Sequence, residues 1–189
     1  MAVVTPLTED QAPLLARPFF SGGDPGPITA ALAHVPELLE TALPFLGAIL
    51  SPSSIDFRTK EIVILRTSAL LACRYCVDSH TPVALDSGLE SAQVRALRNE
   101  VGHDVREAFT HQRDRALIGW NDEVAGKTGA VSKAVAHEMA AHFEQYEIVE
   151  LTLLIGATML LNRFATSLEL PVGDATVHRL VADGFERAA

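Results

Sequence analysis

The spacing of apolar residues is the strongest constraint on the fold of this chain. Apolar residues recur three and four positions apart in several long windows, whereas alternating runs of β-branched residues bounded by turn dipeptides are missing. Apolar residues at that spacing lie on one face of an α-helix. The 189 residues suit one domain, and neither an internal repeat nor a shift in composition marks a second. We therefore expect residues 1–189 to form a single all-α domain.

Capping and breaking residues divide this domain into segments. Residues 1–50 are predicted to form an N-terminal helical arm, which the stretch SGGDPGP interrupts. Residues 57–88 are predicted to hold two helices, the first capped by Asp56 and the second ended by Gly88. Residues 148–167 are predicted to form a core helix.

The charge and the apolar runs limit the possible partners. The net charge is −9, and because nucleic acids and anionic membranes attract Lys and Arg, we expect neither as a partner. The first residues, MAVVTPLTEDQAP, lack the basic and apolar regions of a secretory signal. The most apolar run, Ile148 to Leu161, contains Glu150 and is too short for a bilayer span. We therefore expect a cytoplasmic protein.

Both cysteines of the chain form a CxxC pair, Cys73 and Cys76, and His80 follows four residues after the second. In the first turn of a helix Cys76 would face unpaired amides and the positive end of the dipole, which favour a thiolate. His80 would share its helix face and is placed to accept its proton. Cys73 is placed to resolve a sulfenic acid, and Arg74 would add a positive charge beside both sulfurs.

Other interpretations of the cysteine pair remain open from the residues alone. Buried cysteines often serve only as small apolar side chains. Two thiolates and an imidazole could also bind zinc, with Glu61 offered as the fourth ligand. By itself, Glu61 is best explained as a solvated carboxylate in the first turn of a helix. On a straight helix it would lie about 18 Å from Cys73, so only the return of the next helix could bring it to His80.

Glu61, Cys73, Cys76 and His80 are separated by eleven, two and three residues, and this pattern resembles the signature of the AhpD-like alkylhydroperoxidases in the carboxymuconolactone decarboxylase superfamily. The similarity is strong over residues 57–88. It implies an all-helical fold that assembles into trimers or hexamers, and a peroxidase without haem or metal. By position, Cys76 would be the peroxidatic cysteine and Cys73 the resolving one, with His80 and Glu61 as a proton relay.

Two positions depart from the family pattern. Tyr75 stands between the cysteines where some members of the family have a histidine. If that histidine tunes the reactive thiolate, the activity here would be weaker or directed to a different substrate. Pro82 lies inside the predicted second helix, where it removes a hydrogen bond to Asp78 and can kink the helix. The decarboxylase branch of the superfamily lacks the CxxC pair, so both cysteines argue against lactone decarboxylation.

The sequence thus predicts a thiol-dependent peroxidase or disulfide reductase that acts on small organic hydroperoxides. The resemblance implies that it works through a disulfide between Cys73 and Cys76, with no metal or bound cofactor, and a dithiol of the lipoyl or thioredoxin type would donate the electrons. A redox switch or structural oligomer without turnover is the alternative, and a zinc-binding module and a decarboxylase activity of the superfamily's type are the remote ones. The segment Ile148 to Leu161 is apolar on more than one face, which indicates a contact between subunits.

Overall fold

All regular structure in the described part of the chain is helical. The computed structural model describes residues 3–188, and the prediction of an all-α fold is confirmed. Two short 3-10 turns, Glu9–Gln11 and Arg17–Phe20, precede the helices. The α-helices are α1 (Pro27–Leu32), α2 (Pro36–Leu50), α3 (Phe57–Leu70), α4 (Arg74–Asp86), α5 (Ser91–Leu97), α6 (Val105–Ala108), α7 (Gln112–Val124), α8 (Lys133–His142), α9 (Gln145–Ser167) and α10 (Asp174–Ala182).

Helix α3 is the central element of the fold, and it packs against α4, α7 and α9. Most of its side chains are buried, polar and charged ones included. Asp56 caps its first turn, as predicted, by accepting hydrogen bonds from the Thr59 amide and hydroxyl, both at 2.8 Å. Burial disfavours the Asp56 carboxylate, but the hydrogen bonds from Thr59 outweigh that effect and hold its pKa below the ordinary value of 3.8.

A fully buried lysine joins three helices around the start of α3. The Nζ of Lys60 donates to the carbonyl oxygens of Ile49 at 2.8 Å and Ser51 at 2.6 Å, at the end of α2. It also pairs with Glu150 of α9 at 2.7 Å. Burial disfavours the Glu150 carboxylate, but hydrogen bonds from Lys60 and Ser53 outweigh that effect and lower its pKa. All three ammonium donors therefore have acceptors, which offsets the cost of burying the charge.

The N-terminal arm, residues 3–50 of the described chain, forms a small apolar cluster of its own. Ala12, Ala16, Phe20, Ala30 and Leu39 are buried together there. The main core lies between the later helices, α3 to α10, with the end of α2. The boundaries of the predicted domain stay a prediction, although α3 and α4 lie within the predicted range 57–88.

The predicted core helix is longer than its apolar run. The apolar run Ile148 to Leu161 lies inside this longer helix, because α9 begins at Gln145 and has 23 residues. By length and composition alone, α9 could cross a membrane. Three of its side chains, Leu151, Leu154 and Ile155, are fully buried in the main core. Helix α9 is thus a core helix of this fold.

We predict that Asp56→Ala lowers the free energy of unfolding by about 1 kcal/mol at neutral pH, because it leaves the Thr59 amide without its cap. Asp56→Asn is the matched control and should retain most of the stability. The charged cap contributes above the unfolded pKa, so the loss in Asp56→Ala should shrink as the pH falls below about 4. Urea unfolding at fixed protein concentration measures both variants. Equal stability of the two variants at pH 7 would contradict the capping role.

Candidate redox site

A tight turn between α3 and α4 places the cysteine pair. Helix α3 ends at Leu70, and Ala72 takes a left-handed conformation with φ of 50°. The Cys73 amide then donates to the Ser68 carbonyl at 2.9 Å, and α4 begins at Arg74. This turn reverses the chain, so α4 runs back along α3.

Cys73 and Cys76 form a disulfide at the start of α4, with their Cα atoms 5.3 Å apart. Cys73 is the N-cap residue, and its sulfur accepts a hydrogen bond from the Cys76 amide at 3.3 Å. The predicted position of Cys76 in the first turn of a helix is confirmed. Cys73 is fully buried and Cys76 is 5% exposed. Within residues 3–188, no group of three or more His, Cys, Asp or Glu side chains is arranged to hold a metal ion.

The turn also brings Glu61 to His80. The Nδ1 of His80 lies 3.0 Å from Glu61 Oε2 and 3.3 Å from Oε1. Glu61 is only 1% exposed, so the interpretation of this residue as a solvated carboxylate was wrong. It lies about one turn into α3, and the antiparallel return of α4 places His80 beside it. The contact joins residues 19 positions apart in sequence.

This hydrogen bond determines how the imidazole can act. An ionised carboxylate only accepts hydrogen bonds, so Glu61 favours a proton on Nδ1 of His80. The other ring nitrogen, Nε2, is then the basic one. The His80 side chain is 29% exposed. It begins one helical turn after Cys76, on the same face of α4. The arrangement suits a role of His80 as base for the Cys76 thiol, with Glu61 orienting the ring through Nδ1.

Side chains from distant parts of the chain cover the cysteine pair. We call this the cysteine cluster: Ile28, Ala31, Cys73, Tyr75, Cys76, Phe164, Ala165, Leu168 and Leu170. Its members from α1 and from the end of α9 were missed in the sequence, because no local pattern links them to the cysteines. Tyr75 also belongs to it. Burial raises the pKa of Tyr75 above its ordinary value of 10.0, which a hydrogen bond with Ser79 partly offsets, so the phenol is neutral at physiological pH.

Arg74 and Pro82 both lie in α4, on either side of the Cys76–His80 segment. Arg74 is exposed, and its Nε donates to the Ala188 carbonyl at 3.2 Å, so its hydrogen bond goes to the C-terminal tail. Pro82 is buried inside α4, and the helix continues past it to Asp86. The proline therefore does not end the helix that carries Cys76 and His80.

Buried Asp78 fixes the same tail to α4. Its carboxylate accepts a hydrogen bond from the Ala188 amide at 2.8 Å and one from Arg187 at 3.4 Å. The Arg98 guanidinium donates to the Glu186 carbonyl at 2.6 Å. The last described residues thus pack against the helix that holds the cysteines.

Comparison with known proteins matches the part of the chain that holds this site to a family model. The sequence model of the carboxymuconolactone decarboxylase family matches residues 36–102, a range that contains the cysteine pair, His80 and Glu61. A peroxidase-related protein of uncharacterized function from Ralstonia eutropha JMP134, described as an alkylhydroperoxidase AhpD core, superposes with a TM-score of 0.77 at 17% identity. The alignment covers 93% of this chain and 94% of that one.

A second solved structure is more similar in sequence. It is a protein of unknown function from Agrobacterium tumefaciens, proposed to be the antioxidant defence protein AhpD. It is 27% identical, with a TM-score of 0.66 over 75% of this chain and 94% of that chain. The chain has an AhpD-like fold, and its residues 36–102 match the carboxymuconolactone decarboxylase family model.

The AhpD-like fold is not limited to one reaction. The debrominase Bmp8 superposes with a TM-score of 0.74 at 19% identity, over 95% of this chain and 96% of its own. That similarity concerns the fold alone. The fold alone therefore does not determine the chemistry of this AhpD-like protein, which depends on its own site residues.

We predict that this AhpD-like protein, isolated in air, carries the disulfide between Cys73 and Cys76. Labelling of the denatured chain with a maleimide should add two labels only after reduction with a dithiol, as measured by mass spectrometry. Cys73→Ser is the control, because its remaining thiol has no partner in the chain and should label without reductant. Two free thiols that persist in the wild type after excess peroxide would contradict a redox-active pair.

Proposed function

We propose that this AhpD-like protein is a thiol-dependent peroxidase that reduces small organic hydroperoxides. The hydrogen bond between Glu61 and His80, one helical turn from the thiol pair, is the observation that carries the proposal. A structural disulfide has no need of a buried carboxylate that orients a histidine beside it. Such groups are typical of sites that move protons.

The first step of the proposed reaction uses the Cys76 thiolate. His80 Nε2 takes the thiol proton, and the N-terminus of α4 stabilises the sulfur anion. The thiolate attacks the terminal oxygen of the hydroperoxide, the O–O bond breaks, and Cys76 becomes a sulfenic acid. The leaving alkoxide takes the proton from His80, which returns to its neutral form. The peroxide is thereby reduced to an alcohol by two electrons from sulfur.

The second step regenerates the enzyme. The Cys73 thiol attacks the Cys76 sulfenic acid, water leaves, and the disulfide forms. An external dithiol of the lipoyl or thioredoxin type then reduces this disulfide and becomes oxidised itself. We propose the cytoplasm as the site of the reaction, since its dithiol pool is maintained in the reduced form.

We predict that the two cysteines have different roles. Cys76→Ser should abolish peroxide reduction, whereas Cys73→Ser should consume about one equivalent of peroxide and stop at the sulfenic acid. Single-turnover peroxide consumption and trapping with dimedone measure both outcomes. Equal single-turnover rates in wild type and Cys76→Ser would contradict the assignment of Cys76 as the cysteine that attacks the peroxide. Wild type that consumes only one equivalent of peroxide with every dithiol tested would indicate a redox switch instead of an enzyme.

We also propose that the chain forms a homotrimer or homohexamer through the outer face of α9. Tyr146, Val149, Leu153 and Leu160 are exposed on one face of this helix, with Gly156 in line between them. They follow each other at spacings of three and four residues. A seam of this kind is typical of helix–helix contacts between subunits.

We predict that light scattering finds a trimer or hexamer at micromolar concentration. Leu153→Glu should shift the mass toward the monomer, because it places a charge in the centre of the apolar seam. Val181→Glu is the matched control, since Val181 is also an exposed aliphatic residue but lies on α10. A clean monomer of the wild type would remove this proposal and leave the redox chemistry untouched.

A further inference from the structure

An apolar cavity of about 670 Å³ lies between the N-terminal segment, helices α1 and α2, and the end of α9. Most of its wall is aliphatic or aromatic, and none of its lining side chains is Asp, Glu, Lys or Arg. Six of them illustrate its character: Leu7, Ala31, Leu32, Leu38, Phe164 and Leu168. The polar lining residues are Thr5, Gln11 and His34, so the cavity offers mainly apolar contacts and no Lys or Arg to pair with a carboxylate.

This cavity adjoins the cysteine cluster. Ala31, Phe164 and Leu168 line the cavity and are also members of the cluster that covers the disulfide. Ala31 is a small residue in the wall that the two regions share. A ligand in the cavity would thus lie against side chains that pack in the same cluster as Cys76.

The chain's own N-terminal segment builds the far side of the cavity. The Leu7 amide donates to the Ala30 carbonyl at 3.1 Å, and His34 Nε2 lies 3.0 Å from the Thr5 carbonyl. These contacts hold the segment across α1. The cavity is thus a built feature of the N-terminal arm, most of which precedes residues 36–102, where the family model matches.

We propose that this cavity binds the apolar body of an uncharged organic hydroperoxide and directs its O–O group toward Cys76. The inference rests on the proposed peroxidase function and adds the class of substrate. Moving apolar surface from water into the cavity is favourable, whereas a carboxylate would lose its hydration without finding a Lys or Arg partner in this wall. Uncharged hydroperoxides with an aromatic or branched alkyl group are therefore preferred over hydrogen peroxide and over fatty-acid hydroperoxides with a free carboxylate.

The variant Leu38→Glu tests the cavity at its rim. Leu38 is 59% exposed and lies in the first turn of α2, where the helix dipole favours a negative charge, so the substitution is compatible with the fold. Val181→Glu is the matched control on α10, with Val181 63% exposed. Light scattering verifies that both variants keep the mass of the wild type.

Steady-state kinetics with cumene hydroperoxide and hydrogen peroxide measure the effect. Leu38→Glu should lower kcat/KM for cumene hydroperoxide on the order of tenfold, with hydrogen peroxide and the Val181→Glu control unchanged. For Leu38→Gln, kcat/KM for cumene hydroperoxide should lie between the values of wild type and Leu38→Glu, because glutamine adds polarity without charge. Equal changes for both peroxides, or no change for either, would overturn the substrate assignment.

A binding measurement separates this inference from the proposed function. The neutral product alcohol, 2-phenyl-2-propanol, is titrated into the oxidised protein by calorimetry, with no turnover involved. Wild type and Val181→Glu should bind it alike, and Leu38→Glu on the order of tenfold more weakly. If the alcohol binds in this pattern but no peroxide is reduced, the peroxidase function fails and the cavity remains an apolar ligand site. Equal binding to wild type and Leu38→Glu overturns the cavity assignment itself.

Discussion

The contact between Glu61 and His80 depends on how α4 returns along α3, and the proposed chemistry depends on that contact. A buried carboxylate is costly unless its oxygens accept hydrogen bonds. Glu61 has such a partner in the His80 ring, 3.0 Å away, and the same bond fixes which ring nitrogen is basic. The tight turn at Ala72 and the cap at Cys73 place the thiol pair at the start of the same helix. One reversal of the chain therefore places the thiol pair and the contact between Glu61 and His80 on the same two helices.

Helix α3 must be fixed for this geometry to hold, and polar contacts along its length do that. Its side chains reach the end of α2, the residues after α5, α7 and α9, and most of these contacts join residues far apart in sequence. The contacts are Lys60 with Ile49, Ser51 and Glu150, Arg66 with Asp122 and Asn99, Thr67 with Asn121, and Ser68 with Asn162. Hydrogen bonds require particular distances and angles, so they specify the position of α3 more narrowly than apolar packing does.

Local signals in the sequence predicted the parts of the site that are local. Cys76 and His80 share a helix face because of their spacing, and Asp56 caps α3 as its residue type indicates. The burial of Glu61 was not predictable from the residues, since it follows from the packing of α4 on α3; only the resemblance to a family indicated its role. The start of α9 was also missed, although Glu144 and Glu147 form a capping box ahead of the apolar run. Ala31 and Phe164 pack in the cysteine cluster although they are far from the cysteines in sequence. No local pattern could predict this packing.

The pH dependence of Cys76 alkylation in Glu61→Gln and His80→Ala, measured beside peroxide turnover, tests most directly whether these two residues activate the thiol. If His80 takes the proton, His80→Ala should shift alkylation to higher pH and slow turnover by about 10²-fold to 10⁴-fold, as a lost general base does. Glu61→Gln should slow turnover with a smaller effect on the alkylation profile, because it removes only the group that orients the ring. Alkylation profiles and turnover rates within about threefold of wild type in both variants would contradict the account, since that lies far below the range for a general base.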